Sequence, residues 1–189
     1  MKAPRSLKAR ALQYLAQREH SRLELRRKLL PHARAEIEAA AAAADATVPG
    51  AAARTASAPF SAPPPEVLPA VGTAPERVEA VLGWLEAHAY LSQERFVESR
   101  VHARAARFGN LRIRQELKQH ALALPADMAQ ALRTSELERA RAVRERKFGA
   151  LPADAAGRAR QARFLMGRGF SPDTIRQVLR GGSTESDDH

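Results

Sequence analysis

Apolar residues along the chain recur at helical spacing almost throughout, and no run shows a convincing alternation of period two. Leu7, Ala11, Tyr14 and Leu15 fall on one face of a helix predicted over residues 7–18. Ser21 followed by Glu24 reads as a capping box that opens a second helix, with Leu25 and Leu29 on one face and Pro31 as its end. Pro75 opens a third helix, whose stripe is Val78, Val81, Leu82 and Leu85. A fourth follows Ser92 and runs through Arg95 to Arg107, with Val97, Val101 and Phe108 inward and Gly109 as a left-handed stop. Asn110 is placed to cap a fifth, carrying Ile113 and Leu117, and Pro125 opens a sixth with Met128 and Leu132. Residues 136–148 form a seventh, closed by Phe148-Gly149; residues 158–167 form an eighth; Pro172 opens the ninth, with Ile175 and Leu179. The pattern predicts an all-α fold.

Three of these helices begin alike: Pro75 to Leu82, Pro125 to Leu132 and Pro172 to Leu179. Each has proline where the first turn tolerates a missing amide, an apolar residue three positions on and leucine seven positions on. They stand 50 and 47 residues apart, the period of a helical repeat. The preceding helices also match, because Leu117 leads Met128 by 11 residues and Leu165 leads Ile175 by 10. Leu29, however, leads Val78 by 49, and the excess coincides with a stretch holding 17 alanines and six prolines. The expected organisation is therefore three tandem three-helix repeats. The first covers 1–91, interrupted by an Ala/Pro-rich, disordered insertion at 33–74; the second covers 92–134; the third covers 135–180; a disordered acidic tail follows at 181–189. Repeats that contact mainly their neighbours build an elongated, curved array.

Charge changes the picture more than composition does. The net charge is +10, and because the insertion and the tail are both net acidic, the positive balance belongs to the helices. A polyanion, or a protein that carries one, is the partner such a balance implies. The absence of cysteine excludes disulfides and thiolate chemistry. No stretch is apolar enough to span a membrane, the N-terminus lacks a signal-peptide core, and its helical stripe favours an ordinary helix over a transit peptide. The six histidines form no metal-ligand pair, and there is neither a phosphate loop nor a nucleophile elbow, so no enzyme, metal or cofactor is expected.

The candidate binding residues are basic. Arg100, Arg104 and Arg107 share a helical face, Arg112, Arg114 and Lys118 follow in the next helix, and Arg163 and Arg168 lie in the third repeat. Residues 100–118 contain Glu116 as their only acid, which marks the middle repeat as the least neutralised surface. Exposed amides at the helix start after Gly109 would add a positive end. Arg139, Arg141 and Arg144 are expected to matter less, because Glu136, Glu138 and Glu145 offset their helix. Phe96, Phe108, Phe148, Phe164 and Phe170 read as core; Trp84 reads as packing between repeats, with base stacking the lesser alternative.

Four segments together resemble the RecX regulators of the RecA recombinase: Ser21-x-x-Glu24-Leu25-Arg26-Arg27-Lys28-Leu29, Tyr90 to Phe96, Phe108 to Leu117, and Arg168-Gly169-Phe170-Ser171 with Ile175. The resemblance spans about residues 6–180 and is most specific from Gly109 to Leu117. It implies tandem three-helix repeats and a non-enzymatic, cytoplasmic, monomeric modulator, in most of the family an inhibitor. Its partner would be the RecA filament on single-stranded DNA, contacted directly or through RecA, in homologous recombination, DNA repair and the SOS response. The alternative is a helical nucleic-acid-binding protein with no recombinase partner. Three features depart from the family pattern: Arg34 stands where a hydrophobic residue would end the second helix, Ala121 stands where glycine is frequent, and the insertion is long.

Overall fold

The structure, a computed structural model, describes residues 5–45 and 72–180, so the segment from 46 to 71 and the acidic tail lie outside the described residues. Among the described residues there are nine α-helices and no strand: α1 (Leu7–Leu15), α2 (Arg22–Asp45), α3 (Ala74–Ala87), α4 (Gln93–Ala105), α5 (Asn110–Gln119), α6 (Ala126–Thr134), α7 (Glu136–Phe148), α8 (Ala155–Gly167) and α9 (Pro172–Arg180). None of them is long and apolar enough to cross a membrane. The all-α expectation holds, and three separate apolar cores serve α1–α3, α4–α6 and α7–α9. The chain divides into two compact units, Met1–Ser92 and Gln93–His189.

In the first unit, α2 corrects the expected stop at Pro31. Pro31 lies inside the helix, which continues to Asp45, so residues 33–45 of the expected disordered insertion are helical. The missing proline amide and the ring clash cost about 3 kcal/mol. What lies beyond offsets that cost. Leu25, Leu29 and Ala33 are fully buried at successive i+4 steps, and Ile37 packs against the same core. The Glu36 carboxylate accepts from Arg77 Nη2 of α3 at 2.8 Å. Full burial of a branched aliphatic side chain is worth about 1.5–3 kcal/mol, so the partly buried Ile37 returns a part of the cost, and Ala33 and the Glu36–Arg77 ion pair add to it. Further ion pairs tie α2 to α3: Glu79 accepts from Arg22 Nη2 at 2.5 Å and Arg26 Nε at 2.6 Å, and Glu86 accepts from Arg22. At the start of α3, Thr73 and Glu76 form the reciprocal capping box.

The end that α2 lacks is seen on α3, α5 and α8. Each closes with the same pair of bonds. Ala89 N–H reaches Glu86 O and Tyr90 N–H reaches Leu85 O; the pairs are Ala121 to Lys118 and Leu122 to Leu117 on α5, and Gly169 to Met166 and Phe170 to Leu165 on α8. This closure needs a left-handed residue followed by an apolar one. The left-handed residues are Ala89 and Ala121, both at φ 57, and Gly169 at φ 79. In α2 the position five after Leu29 is Arg34, which is exposed, and an alanine-rich run of high helix propensity follows it. The apolar side chain that accompanies this closure on α5 and α8 is missing at Arg34, and the helix runs on.

The second unit holds α4–α6 around Phe96, Val97, Ile113, Leu117 and Leu132, and α7–α9 around Val143, Leu165, Phe170, Ile175 and Leu179. These two cores meet at a polar joint. The turn before α5 lies against the turn after α8: Gly109 N–H donates to Arg168 O at 2.9 Å and Leu111 N–H to Gly169 O at 3.0 Å. A Cβ on Gly109 would coincide with the Gly169 carbonyl, and one on Gly169 would strike Arg112. Gly109 therefore does not end α4 in the left-handed region. It has φ −78 and ψ 170, serves as the N-cap position of α5, and is glycine for clearance. Asn110 does not cap α5; it is the buried first residue of that helix, and its side-chain amide donates to Leu132 O in the last turn of α6 at 3.2 Å.

Beside this contact, Glu136 is 5% exposed and accepts from Asn110 N–H at 3.0 Å and from the hydroxyls of Ser171 and Thr174 at 2.8 and 3.0 Å. Arg139 donates to the carbonyls of Ala105, Phe108 and Leu132 at 2.9, 2.8 and 2.9 Å and to Asn110 Oδ1 at 2.6 Å. Burial holds its guanidinium below the usual arginine range, an effect the Glu136 carboxylate opposes. Arg139 is a strut of the joint: its guanidinium is spent on backbone carbonyls and Asn110, a different reason for standing outside the binding surface than the acid offset expected from the sequence.

Replacing Ala121 with glycine should stabilise the protein. A left-handed alanine costs about 1–2 kcal/mol, and the added chain entropy of glycine returns about 0.5–1 kcal/mol of that. Thermal circular dichroism should then show a melting temperature higher by about 2 °C. A lower one would contradict the left-handed turn.

Candidate nucleic-acid interface

The second unit gathers its basic side chains around a half-buried phenyl ring. Phe108, at the turn between α4 and α5, has the guanidinium carbons of Arg104, Arg112 and Arg168 at 5.6, 5.9 and 5.4 Å from its centroid. Each such contact is worth about 0.5–1 kcal/mol at an exposed site and, more to the point here, orients the cation. Arg168 is further flanked by Phe164 at 5.1 Å. Phe108 is half-buried and lines the basic surface instead of filling a core as the sequence suggested, whereas Phe164, also half-buried, packs against the α7–α9 core and turns its other side to the basic surface.

Two hollows flank this ring. One, of about 250 Å³, is lined by Arg100, Arg104, Arg112, Gln115, Glu116, Gln119 and His120. Its charge is partly spent internally. Arg104 Nε and Arg112 Nε donate to the two oxygens of Glu116 at 2.9 and 3.4 Å, and Arg100 Nη2 donates to His120 Nε2 at 3.1 Å. The other, of about 180 Å³, is lined by Arg107, Val143, Arg146, Lys147, Phe164 and Arg168. Four cations and no carboxylate line it. An apolar floor with convergent cations in reduced dielectric suits a phosphodiester, which offers charge and two acceptor oxygens.

Of the eight residues singled out from the sequence, Arg104, Arg107, Arg112 and Arg168 are brought together, and Arg100 joins them through the first hollow. Arg114 lies about 200° around α5 from Arg112 at 100° per residue, and Lys118 is one turn beyond it. Both are exposed and make no ion pair among the described residues. Arg163 is exposed on α8 and lines neither hollow. The free amides expected at the start of α5 are also absent, because those of Gly109, Asn110 and Leu111 bond Arg168, Glu136 and Gly169.

Arg146 and Lys147, which line this hollow, are not among the candidates read from the sequence. Counting the acids of their helix sets it aside, yet Glu136 is turned inward and pairs with no surface cation. The signal is in the sequence: Glu136, Ala140 and Val143 share one i, i+4, i+7 stripe, and all three are buried. Lys147 continues that stripe, which brings it beside Val143 at the hollow.

The chain matches known proteins along nearly its whole length. A family model described as "RecX, third three-helix domain" covers residues 134–179. Among curated relatives, a protein named "Regulatory protein RecX" from Leptothrix cholodnii is 46% identical, over 96% of this chain and 92% of its own length. Proteins of the same name from Herbaspirillum seropedicae and Ralstonia nicotianae are 43% and 42% identical, each over 98% of this chain, and over 96% and 93% of their own lengths.

Changing Arg107, Arg146 and Lys147 to alanine should flatten the salt dependence of single-strand binding by about two units, since each lost phosphate contact removes about 0.7. Far-UV circular dichroism should not change. The pair Arg114→Ala and Lys118→Ala should do less. Equal losses, or an unchanged slope in the triple variant, would contradict the placement of the site.

Proposed function

The chain belongs to the RecX family of regulatory proteins, and from that premise we propose that it restrains the RecA recombinase by binding the RecA–single-stranded DNA filament through the basic surface around Phe108. The observation that carries this reading is the acid-free hollow of Arg107, Arg146, Lys147 and Arg168, to which the α4–α5 turn, α7 and α8 all contribute. A rigid joint that fixes cations from three elements presents them at set spacings, as a repeating polyanionic filament requires. Arginine suits the task because its planar fork grips phosphate and carboxylate alike, so one surface can engage both DNA and protein. The action is by occupancy: a body lodged on the filament obstructs strand exchange and the ATP-driven cycle of the subunits beneath it. The work is done in the cytoplasm, where the filament forms, and serves recombinational repair.

The test is RecA ATPase on single-stranded DNA as the chain is added. Hydrolysis should fall in a saturable manner with wild type and fall less with the Arg107→Ala, Arg146→Ala, Lys147→Ala variant. RecA should also be retained on the immobilised chain after nuclease treatment. Unchanged ATPase, together with capture that disappears on nuclease treatment, would overturn the recombinase reading in favour of nucleic-acid binding alone.

A further inference from the structure

A further hollow, of about 230 Å³, shares no residue with the two beside Phe108. It lies between α8 and α9, with Ala162, Ile175 and Leu179 as its floor and the exposed Arg158, Arg176 and Arg180 around it. The floor is the edge of the α7–α9 core. Leu165 of that core is fully enclosed, whereas Ile175 and Leu179 keep 5% and 7% of their surface, and Ala162 is half-buried.

The cations of this hollow are poorly matched within the chain. Arg158 closes the first turn of α8, the positive end of the helix dipole, where a cation is unfavourable, and that turn contains no acid. The Asp154 carboxylate, at the N-cap, accepts from Gly157 N–H at 2.5 Å. Among the described residues neither Arg158 nor Arg180 forms an ion pair. Arg176 pairs with Asp173, but both are more than half exposed, so the pair is weak and exchanges readily for another.

We propose that this hollow docks an acidic segment of a partner protein, with one bulky aliphatic side chain on the floor and carboxylates on Arg158 and Arg180. Floor and charges together select this occupant. A nucleic acid would satisfy the arginines, but the floor holds no ring on which a base could stack. The volume suits a single anchoring side chain, and is below the about 300–1,000 Å³ usual for a small-molecule site. The chain's own residues 181–189 carry Glu185, Asp187 and Asp188 but no large apolar side chain, so they match the charges and not the floor. The site rests on neither the Phe108 surface nor the recombinase reading, and each can fail alone.

The test is the fluorescence anisotropy of a labelled synthetic peptide, a leucine flanked by aspartates in a serine and glycine background, titrated with the full chain. Binding should be saturable. A peptide with serine in place of the leucine should bind about tenfold more weakly, the lower end expected for burying that side chain. The double variant Arg158→Ala, Arg180→Ala should lose about fivefold, the sum expected of two exposed ion pairs, with unchanged circular dichroism. The Arg107→Ala, Arg146→Ala, Lys147→Ala variant should hold the peptide as wild type does, and oligothymidylate should not displace it there. Absence of saturable binding, equal binding of the leucine and serine peptides, wild-type affinity in the double variant, or displacement by oligothymidylate would each overturn the proposal. So would about tenfold tighter binding on changing Glu185→Gln, Asp187→Asn and Asp188→Asn, which would assign the hollow to the chain's own terminus. The two peptides are compared on the wild-type chain, so that contrast decides even if a variant loses helicity.

Discussion

Gly109 and Gly169 allow two turns of backbone to lie against each other at a distance no side chain would permit, and the second unit is organised around that approach. Two backbone hydrogen bonds cross it, and the Glu136–Asn110–Arg139 network closes one side. Leaving a buried hydrogen-bonding group such as the Glu136 carboxylate without a partner typically costs about 1–3 kcal/mol or more, a sizeable fraction of the stability of a small domain. The two apolar cores on either side are small. The joint supplies what neither has alone, a reason for six helices to behave as one body.

The basic surface is a consequence of the same joint. Phe108 sits one residue before Gly109, and Arg168 one residue before Gly169, so bringing the glycines together brings the ring and the guanidinium together. Arg112 faces Gly169 across the contact and leans on the same ring. Turning Glu136 inward frees the far end of α7 to be cationic, and Arg146 and Lys147 occupy it. In the first unit, by contrast, Arg22, Arg26 and Arg77 are engaged by Glu79, Glu86 and Glu36, and these arginines clamp α2 on α3.

Much of the fold was legible because helix grammar is local. The proline starts at 75, 125 and 172, the apolar stripes and the Phe148-Gly149 close were all read from neighbouring residues, and the repeat followed from their order. What failed was non-local. Pro31 signals an end, but whether it prevails depends on the burial of Ala33 and Ile37 against a helix some 40 residues later in the chain. Arg34 carried a hint, since the apolar residue that accompanies the stop on α5 and α8 is missing there. Gly109 was read as a turn former, the commoner reason for glycine, when its reason is clearance. The site was half legible: charge pointed to Arg104, Arg107, Arg112 and Arg168, but counting acids along the sequence could not tell that Glu116 faces the arginines while Glu136 faces the interior.

Residues 93–180 should behave as one cooperative body whose joint holds the basic surface in shape. Native-state hydrogen exchange tests it directly. The amides of Gly109 and Leu111, bonded across the joint, should exchange only through an opening shared with the buried helices α5 and α8, at a single free energy. If those two amides exchange freely, or α4–α6 opens at a free energy distinct from that of α7–α9, the joint does not unite the two cores and the account is wrong.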